Sequence, residues 1–287
     1  MPALDDVEGA RVPIGLRVFD AHVHIFPERV FDAIWRWFDA HAWSIRYRLY
    51  TDQVIEFLAS RGVRRLVALH YAHKPGMAGS LNRFAAEAAR AHPEIVAFGT
   101  IFPGENDARA LLDEAFGPLG LRGIKLHCHV QRMAADDPRL DVVYAACADA
   151  DRPVVIHSGR EPSMAAYGVD TRALCAAAQI DRVLTRHPTL TLVVPHLGFD
   201  EIAEYAALLD RHERLWLDTT MVIGGYFPVE LPYDFLARHA DRLLYGTDFP
   251  NIPYAWDREL KALLAAPLDA AQRDAILWGN AERLFGG

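Results

Sequence analysis

The sequence predicts an α/β fold, a single (β/α)8 TIM barrel that spans residues 1–287. Three observations predict it. Short β-branched runs alternate with Ala-, Leu- and Arg-rich helical segments, this unit recurs eight times, and polar residues follow the apolar part of the strands. The length of 287 residues suits one barrel, and no Gly/Ser linker or sharp change in composition divides the chain.

Eight strands are predicted from these runs, with helical segments between them. In chain order the strands are RVFDAHVHI, RRLVALH, IVAFGTIF, RGIKLHCH, PVVIHSG, LTLVVPHLG, RLWLDTT and RLLYGTDF. Helices are predicted at 52–61, 79–92, 107–116, 141–151, 171–187, 200–213, 234–240 and 270–284. Asp269 is a helix start signal because its side chain can accept first-turn amides, whereas Gly62 and Pro153 are stop signals.

An aromatic segment interrupts this rhythm between the first strand and its expected helix. Residues 31–50, FDAIWRWFDAHAWSIRYRLY, are amphipathic and rich in aromatic side chains. They are predicted to form a helical insertion that acts as a lid or wall. The alternative is that Trp35, Trp37 and Phe38 simply pack against the barrel.

Composition favours a globular protein that acts on a small molecule. Hydrophobic residues make up 52% of the chain and charged residues 24%, which is typical of a protein with a sizeable core. A net charge of −8, without a cluster of basic residues, argues against a nucleic-acid partner. The N-terminal residues MPALDDVEGARVPIG lack an apolar segment, and later apolar runs are too short to span a membrane, so a cytoplasmic location is expected.

The chemistry-bearing residues are concentrated at the ends of the predicted strands. In a parallel barrel these C-terminal ends open onto one face, where active sites are built. His22 and His24 are two residues apart on a strand, so both side chains point to the same side and can converge on one metal ion. His157, His196 and Asp248 each follow an apolar run, and imidazole and carboxylate ligands suit Zn²⁺ first, with Mn²⁺, Fe²⁺ or Co²⁺ as substitutes.

Other polar positions in these segments have two interpretations. Asp20 shares a strand face with the two histidines of HVH, and it either orients a ligand imidazole or is a structural carboxylate. Cys128, inside the segment HCH, points away from its neighbours by strand alternation, so packing is favoured over metal ligation. Cys147 and Cys175 fall in Ala-rich helical patterns and are predicted to pack.

The combined pattern resembles the amidohydrolase superfamily, particularly its family-2 branch. The segments FDAHVHIFP, LGLRGIKLH, RPVVIHSG, LTLVVPHLG, LYGTDFP and WGNAERLFG resemble blocks of that branch, so the resemblance covers residues 17–287. It implies that His22, His24, His157 and Asp248 hold a divalent metal and that His196 lies beside the metal-bound water. A bound divalent ion lowers the pKa of water to about 7. Asp248 would then accept the proton, while His196 orients the water or stabilises developing charge.

Lys125 makes the number of metal ions ambiguous. It ends the fourth predicted strand, where two-metal members of the superfamily carry a carbamylated lysine as a bridging ligand. One ion is preferred here, with a cationic Lys125 that binds a substrate carboxylate or oxyanion. In the two-metal alternative, carbamylated Lys125 bridges the ions while His157 and His196 serve the second one. A structural alternative pairs Lys125 with an acid of the barrel.

The expected substrate is small and anionic, with a carboxylate favoured. His127 shares a strand face with Lys125, and Arg160 follows the fifth strand, so both are candidate substrate-binding residues. The alternative for Arg160 is a surface salt bridge. A homodimer is a further prediction, formed through the aromatic insertion or the segment YFPVELPYDF.

Three functions are compatible with this pattern. The preferred one is a metal-dependent hydrolase that acts on a small amide, lactone or ester. The alternative is a lyase, because some family-2 barrels decarboxylate aromatic or unsaturated acids without oxidation and use the same ligands. The third is an inactive metal-binding scaffold, which would leave a complete ligand set idle.

Overall fold

The computed structural model of the protein describes residues 6–286. Within that range the strands are β1 Phe19–His24, β2 Arg65–Leu69, β3 Ile95–Ala97, β4 Gly99–Thr100, β5 Ile124–His127, β6 Val154–His157, β7 Leu192–Val194, β8 Leu215–Asp218 and β9 Leu243–Leu244. Each strand lies within one of the eight predicted strands. β3 and β4 are the two halves of the predicted strand IVAFGTIF, which is interrupted at Phe98.

Helices separate the strands and follow the last one. The α-helices are α1 Glu28–His41, α2 Thr51–Ser60, α3 Ala78–Ala91, α4 Ala108–Phe116, α5 Cys128–Gln131, α6 Asp141–Asp149, α7 Thr171–Leu174, α8 Ala177–Arg186, α9 Ile202–Arg211, α10 Phe235–Arg238, α11 Arg258–Ala265, α12 Ala270–Asp274 and α13 Asn280–Phe285. Short 3-10 segments span Pro138–Leu140, Ala165–Tyr167 and Ala240–Arg242, and a π-helical turn spans Ala275–Gly279. The segment His196–Glu201 contains turns interrupted by the non-helical backbone of Leu197, Gly198 and Phe199.

The helix predictions are confirmed with three differences. The helix predicted at 171–187 is divided into α7 and α8, and the helices α5 and α11 were not predicted. Residues 6–286 contain no helix with the length and apolar character needed to cross a membrane. All three cysteines, Cys128, Cys147 and Cys175, are free and buried, as expected for residues that pack.

The chain is organised as two compact units. Among the described residues, unit 1 comprises 6–68, Ala88–Val96 and 218–286, whereas unit 2 comprises Leu69–Glu87 and Ala97–Leu217. The prediction of one domain over residues 1–287 stays a prediction.

In unit 1, the fully buried strand β1 is central. β1 lies beside β2, and β2 lies beside β3. On the other side of β1, the amide of Ala21 donates to the carbonyl of Tyr245 at 2.8 Å, and Val23 forms a parallel bridge with Phe249. The amide of Asp248 also donates to the carbonyl of His22 at 2.9 Å. This pairing brings the segment that follows β9 alongside the histidines of β1.

The aromatic insertion, residues 31–50, comprises most of α1 and a following segment that is neither helix nor strand. α1 buries Phe31 and Trp35, whose rings are stacked at 5.6 Å, and Trp35 contacts Tyr50 at 5.2 Å. Trp37 and Phe38 are half-buried. Packing is therefore confirmed for Trp35, while a role of the insertion as a lid stays a prediction.

In unit 2, β4 to β8 form a parallel ladder in which each strand pairs with the next. The register places Lys125 opposite Val155 and His127 opposite His157, so the polar ends of β5 and β6 coincide. The ladder requires a close approach at Gly123, where a Cβ atom would lie 2.4 Å from both a ring atom of Phe98 and the carbonyl oxygen of Pro153. Only glycine fits there without moving the backbone.

Successive helices of unit 2 are joined by similar ion pairs. Arg211 and His212, at the end of α9, contact Asp181 of α8 at 2.6 and 2.7 Å. Arg186 and His187, at the end of α8, contact Asp141 of α6 at 2.6 and 3.3 Å. His212 and then Arg211 hold the pKa of Asp181 below its usual value, against a partial desolvation that raises it.

Candidate active site

Unit 1 brings together three of the predicted metal ligands. His22 and His24 project from the same side of β1, and their ring centroids are 5.1 Å apart. Asp248 Oδ1 lies 3.3 Å from His22 Nε2 and 3.0 Å from His24 Nε2. Two ligand atoms about 2.1 Å from a shared ion lie about 3.0 to 3.4 Å apart for angles between octahedral and tetrahedral. The three side chains therefore have the spacing of a metal-ligand group, which we call the cation cluster.

The backbone at Asp248 contributes to this arrangement. Asp248 has a φ of 66°, a left-handed conformation that is uncommon for residues other than glycine. Its amide is bonded to the carbonyl of His22, and the amide of His24 donates to the carbonyl of Phe249 at 2.7 Å. These two bonds fix the carboxylate against β1, so its position relative to the imidazoles is set by the main chain.

A buried carboxylate also binds the His22 ring. His22 Nδ1 lies 2.7 Å from Asp218 Oδ2, and both side chains are 1% exposed. Because a carboxylate oxygen only accepts, Nδ1 carries the hydrogen and Nε2 presents its lone pair. That lone pair faces Asp248 Oδ1, and two acceptors at 3.3 Å repel each other unless a proton or a cation lies between them. The donor set thus fits a divalent ion.

Asp20 has a different role from the ring-orienting one considered in the sequence. Its carboxylate accepts the backbone amides of His22 and Thr247, each at 3.1 Å, and the Thr247 hydroxyl at 2.6 Å. Burial raises the pKa of Asp20 to about 7, although the bonds from Thr247 and His22 oppose that shift. Asp20 therefore anchors the main chain beside Asp248, and the imidazole partner is Asp218, which the sequence analysis missed.

Unit 2 brings together a second group of histidines, which we call the imidazole cluster: His127, His129, His157 and His196. The rings of His127 and His157 are stacked at 4.1 Å with an angle of 9°. His129, in the first turn of α5, packs edge-on against His157 at 4.6 Å. His157 Nδ1 lies 3.1 Å from His196 Nε2. His129, for which the sequence indicated no role, is fully buried and lies within hydrogen-bonding distance of the Gly159 carbonyl, at 2.9 Å from Nε2.

Burial and neighbouring basic groups lower the pKa of two histidines in the imidazole cluster, His157 and His129. The pKa of His157 is held well below its usual value, first by burial and then by electrostatic interaction with the basic groups His127, His129, His196 and Lys125. Burial likewise lowers the pKa of His129 to about 4, against the bond to Gly159. Lys125 itself is fully buried, and its backbone carbonyl accepts the Thr100 hydroxyl at 2.9 Å.

The imidazole cluster is less suited to a cation than the cation cluster. One ring nitrogen from each of His127, His129 and His157 lies within 4.8 Å of the others. The rings of His127 and His157 are nearly parallel, however, and in-plane lone pairs of stacked rings do not converge on one point. A dication would also be repelled by the charge of Lys125 that acts on His157.

The predicted substrate residue Arg160 is engaged with acids of unit 2. Its guanidinium lies 2.6 Å from Glu201 Oε1 and 3.7 Å from Asp200 Oδ2, and its side chain is 28% exposed. Glu201 also accepts the amide of Ala177 at 2.9 Å. The salt-bridge alternative for Arg160 thus describes this structure, and binding of substrate by Arg160 would require competition with Glu201.

Comparisons with known proteins identify the fold and the family. The chain is similar to an uncharacterized TIM-barrel protein of Bordetella bronchiseptica, with 25% identity, a TM-score of 0.73, and coverage of 94% of this chain and 99% of the other. It is also similar to a 5-carboxyvanillate decarboxylase of Novosphingobium aromaticivorans, solved with manganese and 4-hydroxy-3-methoxy-5-nitrobenzoic acid. That match has 18% identity, a TM-score of 0.71, and coverage of 99% and 100%.

A third similar structure is a 2,6-dihydroxybenzoate decarboxylase from Rhizobium, with 17% identity, a TM-score of 0.62, and coverage of 94% and 98%. No curated protein matches the sequence. The structural matches confirm the TIM-barrel prediction. The family model Amidohydro_2, described as amidohydrolase, matches residues 19–287, and the chain therefore belongs to the amidohydrolase family 2.

Proposed function

We propose that this protein is a metal-dependent enzyme that removes CO₂ from a small aromatic or unsaturated carboxylic acid without oxidation. The observation that carries the proposal is the contrast between the two clusters. One offers imidazole and carboxylate donors for a cation. The other surrounds His157 with basic groups, which suits an anionic substrate. Aromatic-acid decarboxylases with manganese among the similar folds support the same reaction.

In this proposal His22, His24 and Asp248 hold one divalent ion. His157 as the fourth ligand remains a prediction from the family resemblance. Two imidazoles and a carboxylate can bind Zn²⁺ and also Mn²⁺. We therefore propose a divalent ion without specifying which one, and Zn²⁺ stays the prediction from the sequence. A second ion with a carbamylated Lys125 is the alternative.

Lys125 and His127 are proposed to bind the negative charge of the substrate. Lys125 is fully buried, and an ammonium group removed from water interacts strongly with a carboxylate. The cytoplasmic location and the homodimer stay predictions. Arg160 stays a predicted substrate-binding residue, and its ion pair with Glu201 would have to break before it could bind the substrate.

Decarboxylation requires a proton to replace the carboxyl group. The bound ion would supply a positive charge that stabilises negative charge on substrate oxygen. Asp248 is proposed to take a proton from water on the carboxylate oxygen other than Oδ1 and pass it to the carbon that loses CO₂, since Oδ1 faces the two imidazoles and the side chain is 13% exposed. His196 is proposed to stabilise the charge that develops on the substrate. The contact between His196 Nε2 and His157 Nδ1 restricts the orientation of the His196 ring.

Hydrolysis of a small amide, lactone or ester is the second candidate function. It uses the same donors, and Asp248 would accept a proton from water instead of donating one to carbon. The Asp248 carboxylate lies beside two nitrogens that are proposed to bind the metal, and this placement suits hydrolysis as well as it suits decarboxylation.

The test incubates protein loaded with Mn²⁺ or Zn²⁺ with hydroxylated benzoates in D₂O, and in parallel with lactones, esters and amides. Decarboxylation predicts CO₂ release and one deuterium in the product at the former carboxyl carbon. Turnover of only the ester, lactone or amide panel would replace the proposal with hydrolysis. A metal-loaded protein that is inert on both panels would favour the inactive scaffold.

A further inference from the structure

The contact between Asp218 and His22 has a consequence for the metal site that goes beyond the ligand set. Asp218 is the last residue of β8, and its Oδ2 lies 2.7 Å from His22 Nδ1. We infer that Asp218 is a positioning residue, which fixes the tautomer and orientation of His22 so that Nε2 is available to a divalent ion. The inference rests on the proposed metal site.

Burial strengthens the hydrogen bond between Asp218 and His22. Asp218 and His22 are both 1% exposed, so water does not compete for either group. A buried carboxylate without partners is costly, and Asp218 has partners on both oxygens. Oδ2 accepts from His22 Nδ1, whereas Oδ1 accepts the amide of Thr220 at 3.2 Å and also the Thr220 hydroxyl. The carboxylate is held from the Thr220 side, and this leaves one oxygen aimed at the ring.

The hydrogen on His22 Nδ1 determines what Nε2 can do. A neutral imidazole carries one hydrogen, and a ring nitrogen that carries it has no lone pair for a metal. With the hydrogen on Nδ1, the lone pair of Nε2 faces Asp248 Oδ1 at 3.3 Å, inside the cation cluster. A carboxylate behind a metal-ligating imidazole also increases its basicity, and its loss typically costs about 10- to 100-fold in metal affinity.

The hydrogen-bond partners of Asp218 predict that Asp218→Asn, although similar in shape, weakens metal binding more than Asp218→Ala does. In Asp218→Asn the amide oxygen would take the place of Oδ1, because both Thr220 groups are donors there. The NH₂ group would then face His22 Nδ1 and donate to it. The ring hydrogen would move to Nε2 and block the metal. Asp218→Ala imposes no tautomer, so it should be the less damaging change.

The experiment measures the dissociation constant of Zn²⁺ by competition with a chromogenic chelator, and the His22 tautomer by ¹⁵N NMR of the metal-free protein. Asp218→Ala should bind Zn²⁺ about 10- to 100-fold more weakly than the natural protein, and Asp218→Asn more weakly still. The double variant D218N/T220V removes one donor that orients the amide, so it should recover affinity toward the Asp218→Ala value.

Asp181→Asn is the matched control, because Asp181 also contacts an imidazole, His212 Nε2 at 2.7 Å, but outside the cation cluster. It should leave the Zn²⁺ affinity unchanged. A merely structural role of Asp218 predicts the opposite order, with Asp218→Asn close to the natural protein and Asp218→Ala worst, and that result would overturn the inference.

NMR separates this inference from the proposed function. The natural protein should carry a hydrogen on His22 Nδ1, whether or not Nε2 also binds a proton in the absence of metal, whereas Asp218→Asn should carry the hydrogen on Nε2 alone. If the tautomer does not change in Asp218→Asn, the inference is wrong even where activity is lost. If the natural protein binds no divalent ion, the proposed metal site is wrong, while the tautomer measurement still decides what Asp218 does. Melting temperatures of the metal-free variants identify any that fail to fold.

Discussion

The cation cluster and the imidazole cluster both consist of histidines at or beyond the ends of strands, yet their neighbours differ. In unit 1, Asp218 and Asp248 contact the ring of His22 from two sides. In unit 2, the groups that act on His157 are other histidines and Lys125. A histidine beside carboxylates is therefore proposed to bind a cation, whereas His157, beside other basic groups, has a lowered pKa that favours its neutral form. What each buried histidine can bind is therefore expected to depend on the charge of its neighbours.

The greatest loss of activity is expected when Asp248, in the cation cluster, is changed. Asp248→Asn removes a carboxylate ligand and the proposed proton-transfer group together. Activity on the substrate identified should fall by about 10²- to 10⁴-fold at saturating metal, as for loss of a general acid or base. Steady-state rates at several Mn²⁺ concentrations measure this. A variant that keeps more than about a tenth of the activity would remove Asp248 from catalysis.

The next effect compares one histidine of each cluster. His24→Ala should weaken Zn²⁺ binding by more than about 100-fold, because it removes a proposed ligand. Removing a ligand should lower the affinity more than removing a residue that only contacts a ligand, which costs about 10- to 100-fold. His129→Gln should leave Zn²⁺ binding within about threefold, since glutamine can still donate to the Gly159 carbonyl. Chelator competition measures both. Equal losses would mean that the two clusters do not differ in the way described.

A smaller effect tests the anion-binding character of unit 2. Lys125→Met keeps an unbranched buried side chain and removes its charge. The KM for a carboxylate substrate should rise by about 10- to 100-fold, the usual value of a hydrogen bond to a charged group. Binding of Zn²⁺ should not weaken. Weaker Zn²⁺ binding in Lys125→Met would instead support a carbamylated lysine as a bridging ligand.

The smallest effect concerns stability away from both clusters. The folded pKa of Asp181 is below its unfolded value near 3.8, so its stabilisation is present above that value and is lost as pH falls through the folded pKa. Asp181→Asn should lower the free energy of unfolding by no more than about 1 kcal/mol at pH 6, because its partner Arg211 is 58% exposed and solvent screens that ion pair. Below pH 3 the difference should shrink. Urea unfolding at both pH values checks this, and a difference that grows in acid would contradict it.

Some of this organisation follows directly from the sequence. His22, His24 and Asp248 were recognisable because side chains alternate along strands and because polar residues after apolar runs mark strand ends. The family resemblance then gave them roles. The eight βα units were recognisable for the same reason, since each apolar run is short and bounded by helical patterns.

Other features depend on tertiary contacts that local patterns do not encode. Asp218 ends a strand like several other acids, and nothing near it in the sequence indicates that it meets His22, 196 residues away. His129 lies in a segment predicted as strand, but the chain turns into α5 at Cys128. The partner of Arg160 is Glu201, on a segment whose positive φ values could not be anticipated without the fold.

The proposed metal site can be tested with a crystal structure of protein prepared without chelator, with anomalous scattering used to locate and identify the metal. We expect one ion bound by His22 Nε2, His24 Nε2 and a carboxylate oxygen of Asp248, with Lys125 unmodified. An ion on His127, His129 and His157 with none at the cation cluster, or two ions bridged by a carbamate on Lys125, would contradict it.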